Sequence, residues 1–270
     1  MSPTAAIKSA TSDRAESVVG AKQEDTLDEK TEASIASHNL YQRNYYDRAV
    51  KRRLIPRRTA YLNRHVDELA RVAALRPGER ILDVGCGMGR HTLLLAERDY
   101  AVEGLDLSPV LLQRFRVFNG GRFNIPLHSA DVMKPPPDLE NRFDAVVGFF
   151  ALQHMHDLEL CFRGMARLAK PGGRIVFLEG NAFNPLYYIQ MTVMPEKTWR
   201  GDKGVAQMRM SVVENAMKGA GLKSPSVERF GFFPPFVANR SVGARIERAI
   251  ERLRILDPIL PFQIFRADRA

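Results

Sequence analysis

The residues best placed to do chemistry lie in Arg80-Ile81-Leu82-Asp83-Val84-Gly85-Cys86-Gly87-Met88-Gly89-Arg90. A short apolar run ends in an acid, and glycines then alternate before a helix opens near Arg90. A second apolar run, Ala101 to Leu105, ends in another acid, Asp106. Strand, glycine turn, helix, strand and acid make half of a nucleotide-binding βαβ unit. Glycine lets the backbone pass close to a ligand, where a Cβ would obstruct it or forbid a positive φ. Asp106, at the carboxyl end of its strand, is placed to accept hydrogen bonds from both hydroxyls of a ribose. The pattern predicts a site for a nucleoside-bearing ligand.

The spacing narrows the choice. A dinucleotide fingerprint reads G-x-G-x-x-G, whereas this loop reads G-x-G-x-G with Arg90 in the place of the third glycine. The run resembles motif I of the class I S-adenosylmethionine-dependent methyltransferases, and Gly104-Leu105-Asp106-Leu107-Ser108 resembles their acidic second motif. Further matches follow in that family's order. They are Ser129-Ala130-Asp131-Val132, the strand Phe143 to Phe150, the turn Leu152-Gln153-His154-Met155-His156-Asp157, and Leu168-Ala169-Lys170-Pro171-Gly172-Gly173-Arg174. The resemblance is close over residues 60–180 and looser elsewhere. It is similar in particular to the small-molecule enzymes of ubiquinone and natural-product biosynthesis.

The resemblance implies an α/β fold: a Rossmann-like, seven-stranded, mostly parallel sheet with an antiparallel last strand, helices on both faces and an N-terminal helical extension. It implies S-adenosyl-L-methionine as cofactor and a small-molecule acceptor. Asp83 with the backbone of Gly85, Cys86, Gly87 and Gly89 would hold the methionine end, and Asp106 with Leu107 the ribose. Asp131 and Val132 would meet the adenine, Phe149 the methionine moiety, and Tyr46, with Tyr41 and Tyr45, would close over the cofactor.

Methyl transfer from a sulfonium is an in-line displacement whose leaving group departs easily, so alignment is the protein's main task. A hydroxyl acceptor must also lose a proton. His154, just past the fourth strand, is the candidate base, since an imidazole titrates near neutrality; His156 is the runner-up. The other reading of His154 is that it only shapes the pocket. Histidines and acids show no metal-ligand spacing, so no metal site is expected.

These residues need a scaffold. The periodicity predicts helices over Leu40 to Leu54, Tyr61 to Leu75, Arg90 to Arg98, and from Ser108-Pro109 to Asn119. It predicts another from Asp157 to Lys170, one opened by a Ser211-x-x-Glu214 capping box, and a basic amphipathic helix over Ser241 to Leu256. Strands are expected at Arg80 to Val84, Ala101 to Leu105, Ile125 to Ser129, Phe143 to Phe150, Arg174 to Leu178 and Val227 to Phe233. The last, Pro261 to Arg266, would insert between the fifth and sixth. Residues 181–210 break the rhythm with aromatics and methionines, and are read as a lid over the acceptor. The expected organisation is a disordered or loosely helical tail, residues 1–37, and one methyltransferase domain, residues 38–270.

Composition sets outer bounds. With 270 residues and 45% apolar content, the chain can build an ample single core. No apolar run reaches the ~20 residues that span a bilayer, and Met1 to Glu32 is not a signal segment, so a cytoplasmic protein with reduced Cys86 and Cys161 is expected. The net charge of +9 concentrates between Arg43 and Arg64, where Asp47 is the sole acid. No nucleic-acid motif accompanies it, and Gly148-Phe149-Phe150-Ala151 differs from the tetrad of many nucleic-acid methyltransferases, which argues against a nucleic-acid partner. Two alternatives stay open: a lipid methyltransferase docked peripherally on anionic membrane, and a non-catalytic cofactor-binding scaffold. The oligomeric state is not legible.

Overall fold

The computed structural model describes residues 28–48, 50, 54–185, 187–188 and 203–270. Its centre is a seven-stranded sheet: β1 (Arg80–Val84), β2 (Ala101–Asp106), β3 (Leu127–Ser129), β4 (Phe143–Phe149), β5 (Ala169–Gly180), β6 (Lys223–Phe230) and β7 (Phe262–Asp268). The order is β3-β2-β1-β4-β5-β7-β6. Neighbouring strands from β3 to β5 are parallel, and β7 pairs antiparallel with both β5 and β6. The expected fold, including the inserted last strand, is the one observed.

Strand sequences explain the burial. β1 reads as a continuous buried run from Ile81 to Val84 because helices cover both faces of the sheet. On one face, α2 (Ala60–Val72) and α3 (Thr92–Ala96) pack Leu62, Val66, Leu69 and Leu95 onto Ile81, Val147, Val176 and Ile264. On the other, α5 (Leu158–Leu168), numbered after α4 (Pro109–Asn119), packs Phe162 and Met165 onto Leu82, Val146, Phe177 and Phe265. The second layer is shared with α6 (Met210–Gly219), which contributes Val213 and Met217.

The helix ends follow local chemistry. Ser108 caps α4 by accepting from Leu111 N–H at 3.0 Å, Pro109 occupies the first turn, and Gly120 closes the helix at φ 55°. Asp157 caps α5 by accepting from Leu160 N–H at 3.0 Å.

Several boundaries differ from expectation. α1 spans Glu29–Asp47, so the expected tail boundary at residue 38 falls inside a helix. It carries no buried residue and hence no apolar stripe; its start is marked by Asp28, which accepts from Thr31 N–H at 2.9 Å. Ser211 does not open a capping box, since α6 begins at Met210 and makes no side-chain cap bond. The sixth strand is displaced toward Lys223 and ends at Phe230, where Gly231 turns at φ 82°. Pro235 then starts the short α7 (Pro235–Ala238). The basic helix, α8, spans only Ser241–Ile250, and a 3-10 segment with Pro258 follows it. Of the expected lid, residues 186 and 189–202 lie outside the described residues. Its Met208 is buried in the core and its Phe183 is exposed.

Gly164 shows how tightly α5 sits. A Cβ there would fall 1.8 Å from the Val132 carbonyl oxygen. Overpacking against backbone should make Gly164→Ala cost about 1–3 kcal/mol of unfolding free energy. Urea titration checks this, and an unchanged midpoint would show that the helix can shift freely.

Candidate active site

The carboxyl ends of β1, β2 and β4 open into a cavity of about 620 Å³. That size lies within the usual range for small-molecule sites. Its two ends differ in character.

The acidic end is built by the glycine loop. Gly85, Gly87 and Gly89 all have positive φ, at 74°, 53° and 85°. Gly85 has no room for a Cβ, which would lie 2.7 Å from the Ala151 side chain, whereas nothing lies within 4 Å of a Cβ on Gly87. The loop is anchored by the Gly85 N–H to the Leu105 carbonyl at 2.8 Å. Asp106 accepts from Gly87 N–H and Ser108 N–H, both at 2.8 Å, and Asp83 accepts from Thr92 Oγ1 at 2.6 Å. The second oxygen of Asp83 has no partner among the described residues, although the residue is only 2% exposed. Burial pushes Asp83 up to about 7 and Asp106 up to about 6. Two adjacent, underneutralised carboxyls suit a cationic ligand with hydroxyl donors.

Asp83, Gly85, Cys86, Gly87, Asp106, Leu107, Asp131, Val132, Phe149, Tyr46 and His154 all line this cavity. Gly89 does not. A Cβ on it would strike the Phe115 ring at 2.7 Å, so its glycine serves packing beneath the loop. Asp131 already accepts from Asn39 Nδ2 at 2.7 Å and Met133 N–H at 2.9 Å. Each carboxylate oxygen retains a further lone pair for a ligand. Cys86 is buried and its thiol is pushed well up by desolvation, which leaves it inert.

The other end is lined by aromatic rings and two imidazoles, with Arg90 beside them. Phe149 stacks on His91 with centroids 4.3 Å apart, and His65 lies among Tyr61, Phe150 and Phe262. His65 Nδ1 and His91 Nε2 are 3.4 Å apart, one donating to the other, and His65 Nε2 has no partner among the described residues. Burial, then the charge of Arg90, pushes His65 down to about 3 and His91 down as well, so both rings are neutral at physiological pH. Phe150 adopts φ 56°, a strained backbone for a bulky residue, and thereby turns the chain out of β4.

The helix α1 crosses the cavity and binds it with polar contacts. Tyr46 Oη pairs with His154 Nε2 at 2.8 Å, and His38 donates from Nε2 to the His154 carbonyl at 2.8 Å. His156 pairs with Ser34 Oγ at 2.8 Å, on an exposed site. Tyr41 and Tyr45 do not line the cavity; they stack on one another, with centroids 6.2 Å apart.

Beneath the turn that carries His154 lies Glu179, fully buried on β5. It accepts from Leu152 N–H at 2.7 Å, and its other oxygen has no partner among the described residues. Sequence reasoning missed Glu179, His65, His91, Phe150 and Asn39. His65 left one trace: it stands four residues after Tyr61 within the apolar stripe of α2. Among the described residues no three His, Cys, Asp or Glu gather to hold a metal, and no helix is long and apolar enough to cross a membrane.

A sheet of this order, with acids tipping β1 and β2 beside a glycine turn, defines a class I methyltransferase. The methyltransferase-domain family matches residues 81–173. A demethylmenaquinone methyltransferase of Shouchella clausii is 33% identical over 177 residues, spanning 56% of this chain and 75% of that protein. A ubiquinone biosynthesis O-methyltransferase of Alkalilimnicola ehrlichii is 34% identical over 125 residues, 46% of this chain and 50% of that one. Several other relatives are likewise matched over only 42–58% of their length. The geranyl diphosphate C-methyltransferase of Streptomyces coelicolor shares the fold with a TM-score of 0.57 at 18% identity, over 86% of this chain and 98% of that one. The chain belongs to the class I S-adenosylmethionine-dependent methyltransferases of the small-molecule type, and S-adenosylmethionine is its cofactor.

Burial pushes Glu179 up to about 8. A carboxyl whose pKa rises on folding binds its proton more tightly in the native state. It stabilises the fold below its unfolded pKa, and the gain is lost as pH rises through the folded value. The melting temperature of the wild type relative to Glu179→Gln should therefore fall by several degrees between about pH 5 and pH 9. Parallel melting curves across that window would contradict the assignment.

Proposed function

We propose that the protein transfers a methyl group from S-adenosylmethionine to a hydroxyl oxygen of a small, largely apolar acceptor, with His154 taking the proton. The observation that carries this reading is the place of His154. It lines the cavity, and its ring is fixed by Tyr46. The O-methyltransferase name of the Alkalilimnicola relative supports oxygen as the acceptor atom.

When bound, S-adenosylmethionine supplies an electrophilic methyl group on a positively charged sulfur. The residues present fit such a ligand: Asp83 has an unpartnered oxygen, Gly87 has open space where a Cβ would stand, and Asp106 is held carboxyl-inward by two N–H groups. Asp83 and the Gly85 to Gly87 backbone would hold the methionine end, Asp106 and Leu107 the ribose, and Asp131 and Val132 the adenine. Phe149 would lie along the methionine moiety and Tyr46 would close the cavity above it.

The neutral wall of His65, His91, Phe150 and Phe262 would receive the acceptor. It offers one hydrogen-bonding nitrogen and aromatic faces to a flat apolar group. Alignment between the two ends can contribute ~7–11 kcal/mol to lowering the barrier, and a general base a further ~100- to 10,000-fold.

Asp106→Ala should weaken S-adenosylmethionine binding about 10- to 100-fold, the loss of a charge-assisted hydrogen bond. Calorimetric titration measures it, and undiminished affinity would remove Asp106 from the site. His154→Ala should cut turnover at least ~100-fold while leaving cofactor affinity nearly unchanged. A methyl-transfer screen across phenols, quinols and lipids supplies the assay. An unaltered rate would remove His154 from the mechanism, and a methylated carbon in the product would refute the oxygen acceptor.

A further inference from the structure

We propose that α8 and the segment after it form a docking surface for an anionic lipid bilayer, set beside the mouth of the cavity. Along α8, Val242, Ile246 and Ala249 share one stripe and all are exposed, Val242 by 60% and Ile246 by 48%. Phe236 before the helix and Leu253 and Ile255 after it extend the apolar surface, and Ile255 is 86% exposed. Apolar exposure on this scale marks an interaction site.

Charge decides the partner. Arg240, Arg245, Arg248, Arg252 and Arg254 are all exposed and interleaved with these apolar residues, and none makes an ion pair among the described residues. Between Arg240 and Arg254 the two acids are withdrawn, and Asp257 beyond them is half-buried. Glu247 and Glu251 both pair inward with Arg64 of α2. Glu247 also accepts from Phe232 and Phe233 N–H at 2.8 Å. The outward face is therefore apolar and cationic together.

An interfacial helix needs that combination: apolar side chains enter the acyl boundary while arginines reach anionic headgroups. A phosphate backbone would match the arginines and leave Ile255 and Phe236 in water. A second copy in an isologous dimer would set the arginines against themselves. Continuity with the cavity adds a reason for the location. Phe232, Phe233 and Pro235, which line the cavity, run directly into Phe236. An apolar acceptor could thus pass from the bilayer to the aromatic wall.

Sedimentation of the full chain with vesicles of phosphatidylcholine, with and without phosphatidylglycerol, tests the surface. Binding should require phosphatidylglycerol and weaken between ~0.1 M and ~0.5 M NaCl. Arg245→Glu with Arg248→Glu, and separately Ile246→Ser with Ile255→Ser, should each lower partitioning at least about tenfold with circular dichroism unchanged. If either pair perturbs the helix, Val242→Ser with Arg252→Glu serves in its place. No pelleting with anionic vesicles, equal pelleting by the variants, or a lipid-free dimer abolished by Ile246→Ser would overturn the proposal. Asp106→Ala separates it from the methyl-transfer reading, because that variant should lose cofactor binding and keep vesicle binding.

Discussion

Buried carboxyl groups at one edge of a parallel sheet are the constraint on which this structure turns. Asp83, Asp106 and Glu179 stand near the carboxyl ends of β1, β2 and β5, each at most 9% exposed. Burying an acid is costly unless hydrogen bonds or a cation compensate it. The fold supplies part of that compensation from its own backbone: Gly87 and Ser108 N–H groups for Asp106, and Leu152 N–H for Glu179. Asp83 receives a hydroxyl and retains an unpartnered oxygen. Natural proteins keep such conflicts where a ligand resolves them.

The same compensation shapes the site. The glycine loop folds over Asp106 because its N–H groups are needed there, and this brings Cβ-free backbone to the cavity. The turn carrying His154 is pinned from below by Glu179 and from above by Tyr46 and His38. Groups from α1 and β5 thus converge on one turn, and Tyr46 among them reaches its imidazole. α1 itself has no buried residue and is attached through side-chain hydrogen bonds, including Ser108 Oγ donating to Asp47 at 2.5 Å. Such an element can release at modest cost, which suits a site that must admit two ligands.

The sheet and its acidic edge were legible in the sequence because each strand leaves a local mark. Apolar runs ending in Asp83 and Asp106, the Ser108-Pro109 start and the Asp157 cap are all interactions between near neighbours. The sequence misled where local marks were absent or false. The part of α1 ahead of Leu40 has no apolar stripe to announce it, and Ser211-x-x-Glu214 imitates a cap that packing of Met210 and Val213 overrides. The aromatic wall could not be read at all. His65, His91, Phe150 and Phe262 come from four distant segments, and the packing of α2 on the sheet, the pairing of β7 with β5 and the positive φ of Phe150 bring them together. At Gly89 the spacing shows that a glycine is needed, not which side of the loop needs it.

Calorimetric titration of the purified protein with S-adenosylhomocysteine, beside NADH as a control, tests the central claim most directly. The account predicts saturable one-to-one heat with the nucleoside thioether and none with the dinucleotide. A folded protein that gives no saturable heat with S-adenosylhomocysteine, or that binds NADH instead, would contradict it.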